Sequence, residues 1–511
     1  MAPRTTTTKK TLALVAASLL VTSGVAQGSD DLVRFEPPTS NYVDGACVEN
    51  LPEDATLEID LFPHKSASGA QFTATVSADY SLLWSVTYHG TYKVLRNALT
   101  EHTYVLYQCG TLPPRNLDFN HTLVRVPVTT VAVTSTTYLP FLEMIGERLA
   151  IHAYTSDFDY VSSPCLRRLH DEGRVLEAYD AATWSIDASQ LTDVELSIAD
   201  AWTEDQVPHP YVMTDTHEDS VLKTAEYVEV VGLFFNRERE ATEAINHIVN
   251  NYLCIREQAE ELATRDVTKR VLWTNYWDAA DGWSIAECPN WYCEIVAAAG
   301  GEVVVPTVEP AIEYWTYPYL STAQVLEMAQ DADVLISSGA FVHRDLFMEQ
   351  APHLGIFDAG GLRGYNDFYE RRHVEPDAFL HDVAAALWGT TLRADVTDPT
   401  LKFLRDVVAD DPVGTKDDPS ECVDEDAPYE FETDFCAEPP ESSSSKKSRA
   451  PGTAVVVVVA VLLGLVVLAM LASLVVFGRR HAGQSAPAMG GRDDMDKEVV
   501  AATTAEIEIK G

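Results

Sequence analysis

The sequence predicts an α/β protein: two Rossmann-like lobes joined by a long backbone helix, with a small β-rich extension before them and a transmembrane helix after them. Three observations carry that reading. Short β runs alternate with helical stretches in two separate tracts, 119–219 and 265–408, which is the pattern of parallel sheets covered by helices. Between them, over 220–264, Val221, Ala225, Val228, Val231, Phe235, Ala241, Ile245, Ile248, Tyr252, Ile255, Ala259 and Leu262 recur every three or four positions, the spacing of one buried helical face. Near the end, Ala454–Phe477 is apolar and uncharged over a length able to cross a bilayer as a helix.

The helical spacer over 220–264 reads as two helices, because the polar run Asn236-Arg237-Glu238-Arg239-Glu240 interrupts its stripe. The second helix, about 27 residues, would extend roughly 40 Å at 1.5 Å per residue. A helix that long crosses a domain, so a ligand site is expected between the lobes it joins.

At 511 residues the chain has room for several cores, and its ends lie outside them. Arg4, Lys9 and Lys10, the apolar stretch from Leu12 to Val21 and the small residues Gly24-Val25-Ala26 predict a secretory signal over 1–26. Export then makes the chain a single-pass type I protein of the plasma membrane or an endomembrane, with 478–511 as a cytosolic tail. Basic residues stand on both sides of the span (Lys446, Lys447 and Arg449; Arg479 and Arg480), so the signal rather than charge bias orients it. All eight cysteines lie on the exported side, which favours disulfides over metal ligation. Cys288 with Cys293 and Cys422 with Cys436 are near enough to pair locally, and Cys47 with Cys109 would staple the β-rich extension. Asn120-His121-Thr122 is a glycosylation sequon.

A net charge of −42 argues against nucleic acid and acidic polysaccharide as partners. Between Asp410 and Glu441, acidic residues crowd among prolines with Lys416 alone opposing them, which reads as an extended acidic stalk over 409–453. Their spacing does not match an EF-hand loop.

In chain order, the extension (27–118) has strand-favouring runs at Thr73–Val76, Trp84–Tyr88 and Tyr104–Tyr107. The first lobe (119–219) opens with a strand over Pro127–Val133, then hydroxyl residues suited to capping a helix near Pro140–Gly146. Further strands are expected at Ala150–Ala153, Val194–Ile198 and Tyr211–Met213. In the second lobe (265–408) strands are expected at Arg270–Trp273, Val303–Val305, Asp333–Ile336 and Gly355–Phe357, and helices at Glu294–Ala299, Thr322–Gln330 and Pro376–Trp388.

No G-x-S-x-G elbow, H-E-x-x-H pair or phosphate-binding glycine loop is present. None of the 14 histidines stands in a close metal-ligand pattern, and His343 and His353 read as surface residues. The expectation is therefore a non-enzyme without a cofactor. Aromatic residues crowd the loop after the second lobe's first strand: Trp273, Tyr276, Trp277, Trp283, Trp291 and Tyr292, in a chain that is 9% aromatic. Tyr314, Trp315, Tyr317 and Tyr319 follow the next strand. Loops at the carboxyl ends of parallel strands face the ligand crevice, where Trp and Tyr offer flat surface to a bulky organic ligand. Packing of loop on loop is the alternative for any one of them. Arg363, Arg371 and Arg372 add forks that bind carboxylate or hydroxamate oxygens in pairs, unless Asp367 and Glu370 neutralise them.

Several separated motifs carry a resemblance: Ser135–Glu143 with Gly146, Tyr160–Pro164, Glu226–Glu243 containing Leu233-Phe234-Phe235-Asn236-Arg237-Glu238, Ala299-Gly300-Gly301, and Asn366–Tyr369 leading to Glu375–Asp382. Together they resemble the class III periplasmic substrate-binding proteins, the cobalamin-, haem- and ferric-siderophore-binding components of bacterial uptake transporters. The resemblance spans roughly residues 119 to 390. It implies the class III periplasmic-binding-protein fold, a shallow cleft and little domain closure. The exported, single-span layout is similar instead to the membrane-anchored ferrichrome-binding proteins of marine microalgae.

These resemblances imply a cell-surface receptor for a ferric siderophore of hydroxamate, ferrichrome-like type. Cobalamin or haem is the alternative ligand, and an adhesion ectodomain the alternative of another class. Trp273, Tyr276, Trp277, Trp283 and Trp291 would form the apolar wall, and Arg363, Tyr365 and Arg372 would meet the oxygen shell around iron. Thr136, Thr137 and Tyr138 would face them from the first lobe. The chelator wraps the iron, so no protein ligand to metal is required; a haem would need an axial residue, for which Tyr276 is available. The expected partners are the small ferric chelate, the membrane through Ala454–Phe477, and a reductase or endocytic protein that takes over the captured iron.

Overall fold

The computed structural model of the protein describes residues 38–49, 59–66, 81–307, 309–314, 317–389 and 401–431. The expected signal, span and tail, the Thr73–Val76 run, Trp315 and Cys436 lie outside these residues. Among the described residues no helix is long and apolar enough to cross a membrane.

The β-rich region is a sheet of β1 (Trp84–His89), β2 (Tyr92–Asn97), β3 (Thr103–Gln108) and β4 (Thr122–Val126) in that order. β1 to β3 form an antiparallel meander, and β4 returns parallel to β3, so the sheet runs beyond residue 118. Cys47 and Cys109 are bridged. The fully buried Lys93 ammonium reaches the Leu233 carbonyl (2.6 Å), Asn236 Oδ1 (2.8 Å) and Glu238 Oε1 (2.7 Å). A buried charge must be neutralised and fully hydrogen-bonded, and the helical spacer supplies both.

The first lobe contains β5 (Val131–Val133), α1 (Leu139–Met144), β6 (Ile151–Tyr154), α2 (Pro164–Asp171), β7 (Leu176–Glu177), the hairpin β8 (Tyr179–Asp180) and β9 (Ser185–Ile186), β10 (Leu196–Ala199) and β11 (Pro210–Val212). Its sheet is parallel, ordered β11-β10-β5-β6-β7. Every residue of β5 is buried, as a strand covered on both faces requires. The spacer forms α3 (Val221–Ala225), α4 (Tyr227–Phe235) and α5 (Glu238–Arg265). Its break falls at Asn236, which has φ 59°, a left-handed conformation that asparagine tolerates.

The second lobe contains β12 (Lys269–Trp277), β13 (Gly282–Ile285), α6 (Trp291–Ala298), β14 (Gly301–Val303), the hairpin β15 (Ile312–Tyr314) and β16 (Tyr317–Tyr319), α7 (Thr322–Ala329), β17 (Val334–Ser337), α8 (Arg344–Gln350), β18 (Gly355–Asp358), α9 (Tyr365–Arg371), α10 (Pro376–Trp388) and β19 (Arg405–Asp406). The parallel order β14-β12-β17-β18 repeats β6-β5-β10-β11 of the first lobe, so both lobes are wound alike.

The acidic stretch is not an extended stalk from residue 409. Over 405–431 it packs back on the body. Arg405 forks Asp358 at 2.7 and 2.8 Å, and Cys422 bridges to Cys165 on α2 rather than to the nearby Cys436. Glu425 pairs with Arg168 (3.1 Å) and Arg174, while Arg148 donates to the Glu425 carbonyl (2.7 Å). A basic patch on the first lobe thus neutralises acids that alone would remain solvated. Phe431 ends the stretch 4.3 Å, ring to ring, from His247 of α5.

Candidate functional site

The carboxyl ends of the two sheets face each other across contacts on two flanks. After β5, the Thr137 carbonyl lies 3.0 Å from His373 Nε2. After β6, the Asp159 carbonyl accepts from Asn366 (3.0 Å), the Ser162 amide donates to Glu370 Oε2 (2.6 Å) and the Ser162 hydroxyl to Asp367 (3.1 Å). On the other flank Glu294 of α6 accepts from the Ser220 hydroxyl (2.9 Å) and the Val221 amide (3.0 Å). Hydrogen bonds on both flanks hold the strand ends in register, which restrains one lobe from swinging against the other.

Beside the first flank stands Arg372, half-buried among rings. Its guanidinium carbon is 4.7 Å from the centroid of Phe368, 5.2 Å from Tyr369, 5.5 Å from Trp291 and 5.9 Å from Tyr292. The quadrupoles of these ring faces favour a cation there. One nitrogen donates to the Phe368 carbonyl (3.1 Å), yet Nε is buried without an acceptor, and so is the nearby Trp291 Nε1. Among the described residues no carboxylate pairs with Arg372. Its neighbour Arg371 is the opposite case: Asp367 (2.5 and 2.8 Å) and Glu375 (2.9 Å) saturate it in the core. Burial, with Arg372 alongside, pushes His373 down to about 3, and burial pushes the Tyr369 phenol up. Both are neutral at ordinary pH, so Arg372 is the positive charge of this box.

The structure brings together only part of the expected site. Thr136 and Thr137 are half-exposed at the end of β5, Trp291 belongs to the Arg372 box, and Trp277 is 53% exposed at the end of β12. Trp273 and Trp283, expected on the ligand wall, are buried. Trp273 donates to Ser338 Oγ (2.9 Å) and stacks on Tyr292 (4.6 Å), which places it behind the box. Trp283 donates to Thr322 (3.1 Å) and packs on Phe341 and Phe347 at 5.7 and 5.8 Å, because large rings where β12 and β13 pair fill the lobe's interior. Tyr138 is buried as well. The Tyr276 hydroxyl donates to Asp281 (2.7 Å), which pushes its phenol up to about 12. Tyr365 donates to Asp358 (3.2 Å) and accepts from Arg405 (3.1 Å), an internal commitment. Arg363 is half-buried in the loop before α9.

Residues outside the expected set complete the box: Tyr292, Phe368 and Tyr369. Phe368 and Tyr369 stand four and three positions before Arg372 on one helix, the spacing that lays a ring against a side chain one turn later. That signal was readable in the sequence. Tyr160 and Trp202, 59% and 73% exposed near the ends of β6 and β10, carry no comparable local signal. Among the described residues no group of three or more His, Cys, Asp and Glu is placed to hold a metal ion.

Fold and site together define a two-lobed α/β chain with a cationic, aromatic patch where the strand ends meet. No protein-family model and no curated protein matches the sequence. Among solved structures the chain is similar to the petrobactin-binding protein of Bacillus subtilis, at 15% identity over 52% of this chain and 94% of that one, with TM-score 0.40. It is also similar to a TroA-like periplasmic binding protein of Veillonella parvula (10% identity, 57% and 96% covered, TM-score 0.40). A third is a periplasmic haem-binding protein of Pseudomonas aeruginosa (10% identity, 54% and 98% covered, TM-score 0.37).

Proposed function

We propose that the chain is a single-pass cell-surface receptor that captures a ferric siderophore, of hydroxamate, ferrichrome-like type, for iron acquisition. The observation that carries this reading is Arg372, a guanidinium with no carboxylate partner among the described residues, walled by Trp291, Tyr292, Phe368 and Tyr369 at the junction of the lobes. Such a fork suits the electron-rich oxygen shell around a wrapped metal, and the rings take up the chelator's hydrocarbon. Thr136 and Thr137 add hydroxyls from the other lobe. One positive charge, and no group of carboxylates placed to hold a metal ion among the described residues, favour a neutral or anionic chelate over the bare ferric cation.

The test is tryptophan quenching of the full-length chain in detergent by ferrichrome, ferric citrate, cobalamin, haem and ferric chloride. Saturable quenching by ferrichrome alone is expected. Saturation by haem or cobalamin instead would replace the ligand, and no response to any of them would bring the adhesion reading forward.

A further inference from the structure

Trp202 is 73% exposed, yet its backbone is fixed. Asp200 Oδ1 accepts from the amides of Trp202 (2.8 Å) and Thr203 (2.9 Å) and from the Thr203 hydroxyl (2.9 Å), and the Gln206 side chain donates to the Trp202 carbonyl (3.1 Å). The turn lies where β10 ends and is tied to the neighbouring strand end, since the Asp200 amide donates to Thr134 Oγ1 (3.3 Å). Thr134 immediately precedes the Ser135–Tyr138 turn. Trp202 therefore stands on the same edge of the first lobe as Thr136 and Thr137, the edge that meets the second lobe. Among the described residues it has no ring or hydrogen-bonding partner for its indole.

A rigid backbone carrying an unpacked indole is costly in water, and such residues recur as anchors in binding sites because little freedom is lost when they are covered. Resting on the receptor reading above, we infer that Trp202 is the first-lobe face against which the chelator's apolar flank stacks. It is a specificity-determining residue. Arg372 answers to the oxygen shell common to ferric chelates, whereas Trp202 rewards ligands with exposed hydrocarbon or flat surface over compact polar chelates such as ferric citrate.

The experiment is equilibrium dialysis of radiolabelled ferrichrome and ferric citrate against the full-length chain and its Trp202→Ala and Trp202→Phe forms in detergent. Trp202→Ala should weaken ferrichrome binding about tenfold, and Trp202→Phe should keep most of the affinity. Neither should change what ferric citrate binding there is. Thermal unfolding should nearly coincide in all three, because the indole is mostly exposed. Ferrichrome affinity within about twofold of the parent in Trp202→Ala would overturn the assignment while the receptor reading stands. A parent that binds neither chelate would overturn both.

Discussion

Two aromatic clusters of the second lobe are built from the same residue types and largely from the same stretch of sequence, yet only one has the character of a site. Around Trp283, the rings of Tyr276, Phe341 and Phe347 lie within 5.0 to 5.8 Å, and each polar edge is used, Trp283 on Thr322 and Tyr276 on Asp281. Around Arg372, the rings of Trp291, Tyr292, Phe368 and Tyr369 enclose a cation, and two buried N–H groups lack acceptors. The clusters differ in a charge that no carboxylate answers among the described residues, not in aromatic density.

The hardest strain on that contrast comes from the adjacent arginines. Arg371→Met should strip Asp367 and Glu375 of the buried cation between them and cost about 3–5 kcal/mol in urea unfolding. A tolerated Arg371→Met would mean the two arginines do not differ in kind. Next, Trp283→Ala should destabilise by about 3–5 kcal/mol as a buried aromatic replaced by a cavity, with the folded protein's ferrichrome affinity unchanged. Lost affinity there would extend the site into the saturated cluster. Arg372→Met should do the reverse, lowering affinity about 10- to 100-fold, roughly 1.4–2.8 kcal/mol, with little change in thermal stability. Arg372→Lys should not restore it, since an ammonium has no planar fork.

Much of the fold was legible because apolar periodicity changes visibly between strand and helix. The helix Pro376–Trp388 forms over the expected residues, and the interruption at Asn236 is a real break. What escaped depended on partners distant in sequence. Dense acid after Asp410 reads as solvated until Arg148, Arg168 and Arg174 are known to line up beside it, and Cys422 finds Cys165 for the same reason. Trp273 and Trp283 could not be told from Trp277 by sequence, since one residue type serves core and wall alike and only the fold decides exposure. Arg372 was within reach, because helical phase gives Arg371 its acids at i−4 and i+4 and gives Arg372 rings instead.

A pH-dependent comparison probes Glu370, which joins the lobes at Ser162. Its Oε2 accepts the Ser162 amide, its Oε1 has no partner, and burial, with Glu143 and Asp367 nearby and Arg371 opposing, pushes its carboxyl up to about 8. A carboxyl whose folded value is raised binds its proton more tightly in the native state. The stability it confers is full below the ordinary value of about 4.3 and is lost as pH rises through about 8. Glu370→Gln stays neutral and keeps an oxygen for the Ser162 amide, so its stability relative to the parent should grow from about pH 5 to about pH 9 in urea unfolding. Asp215, Glu226 and Asp377, also raised by burial, are present in both proteins and cancel in the difference. Parallel curves would mean that Glu370 is fully paired when ionised, leaving the lobe junction as saturated as the Trp283 cluster and removing the distinction between them.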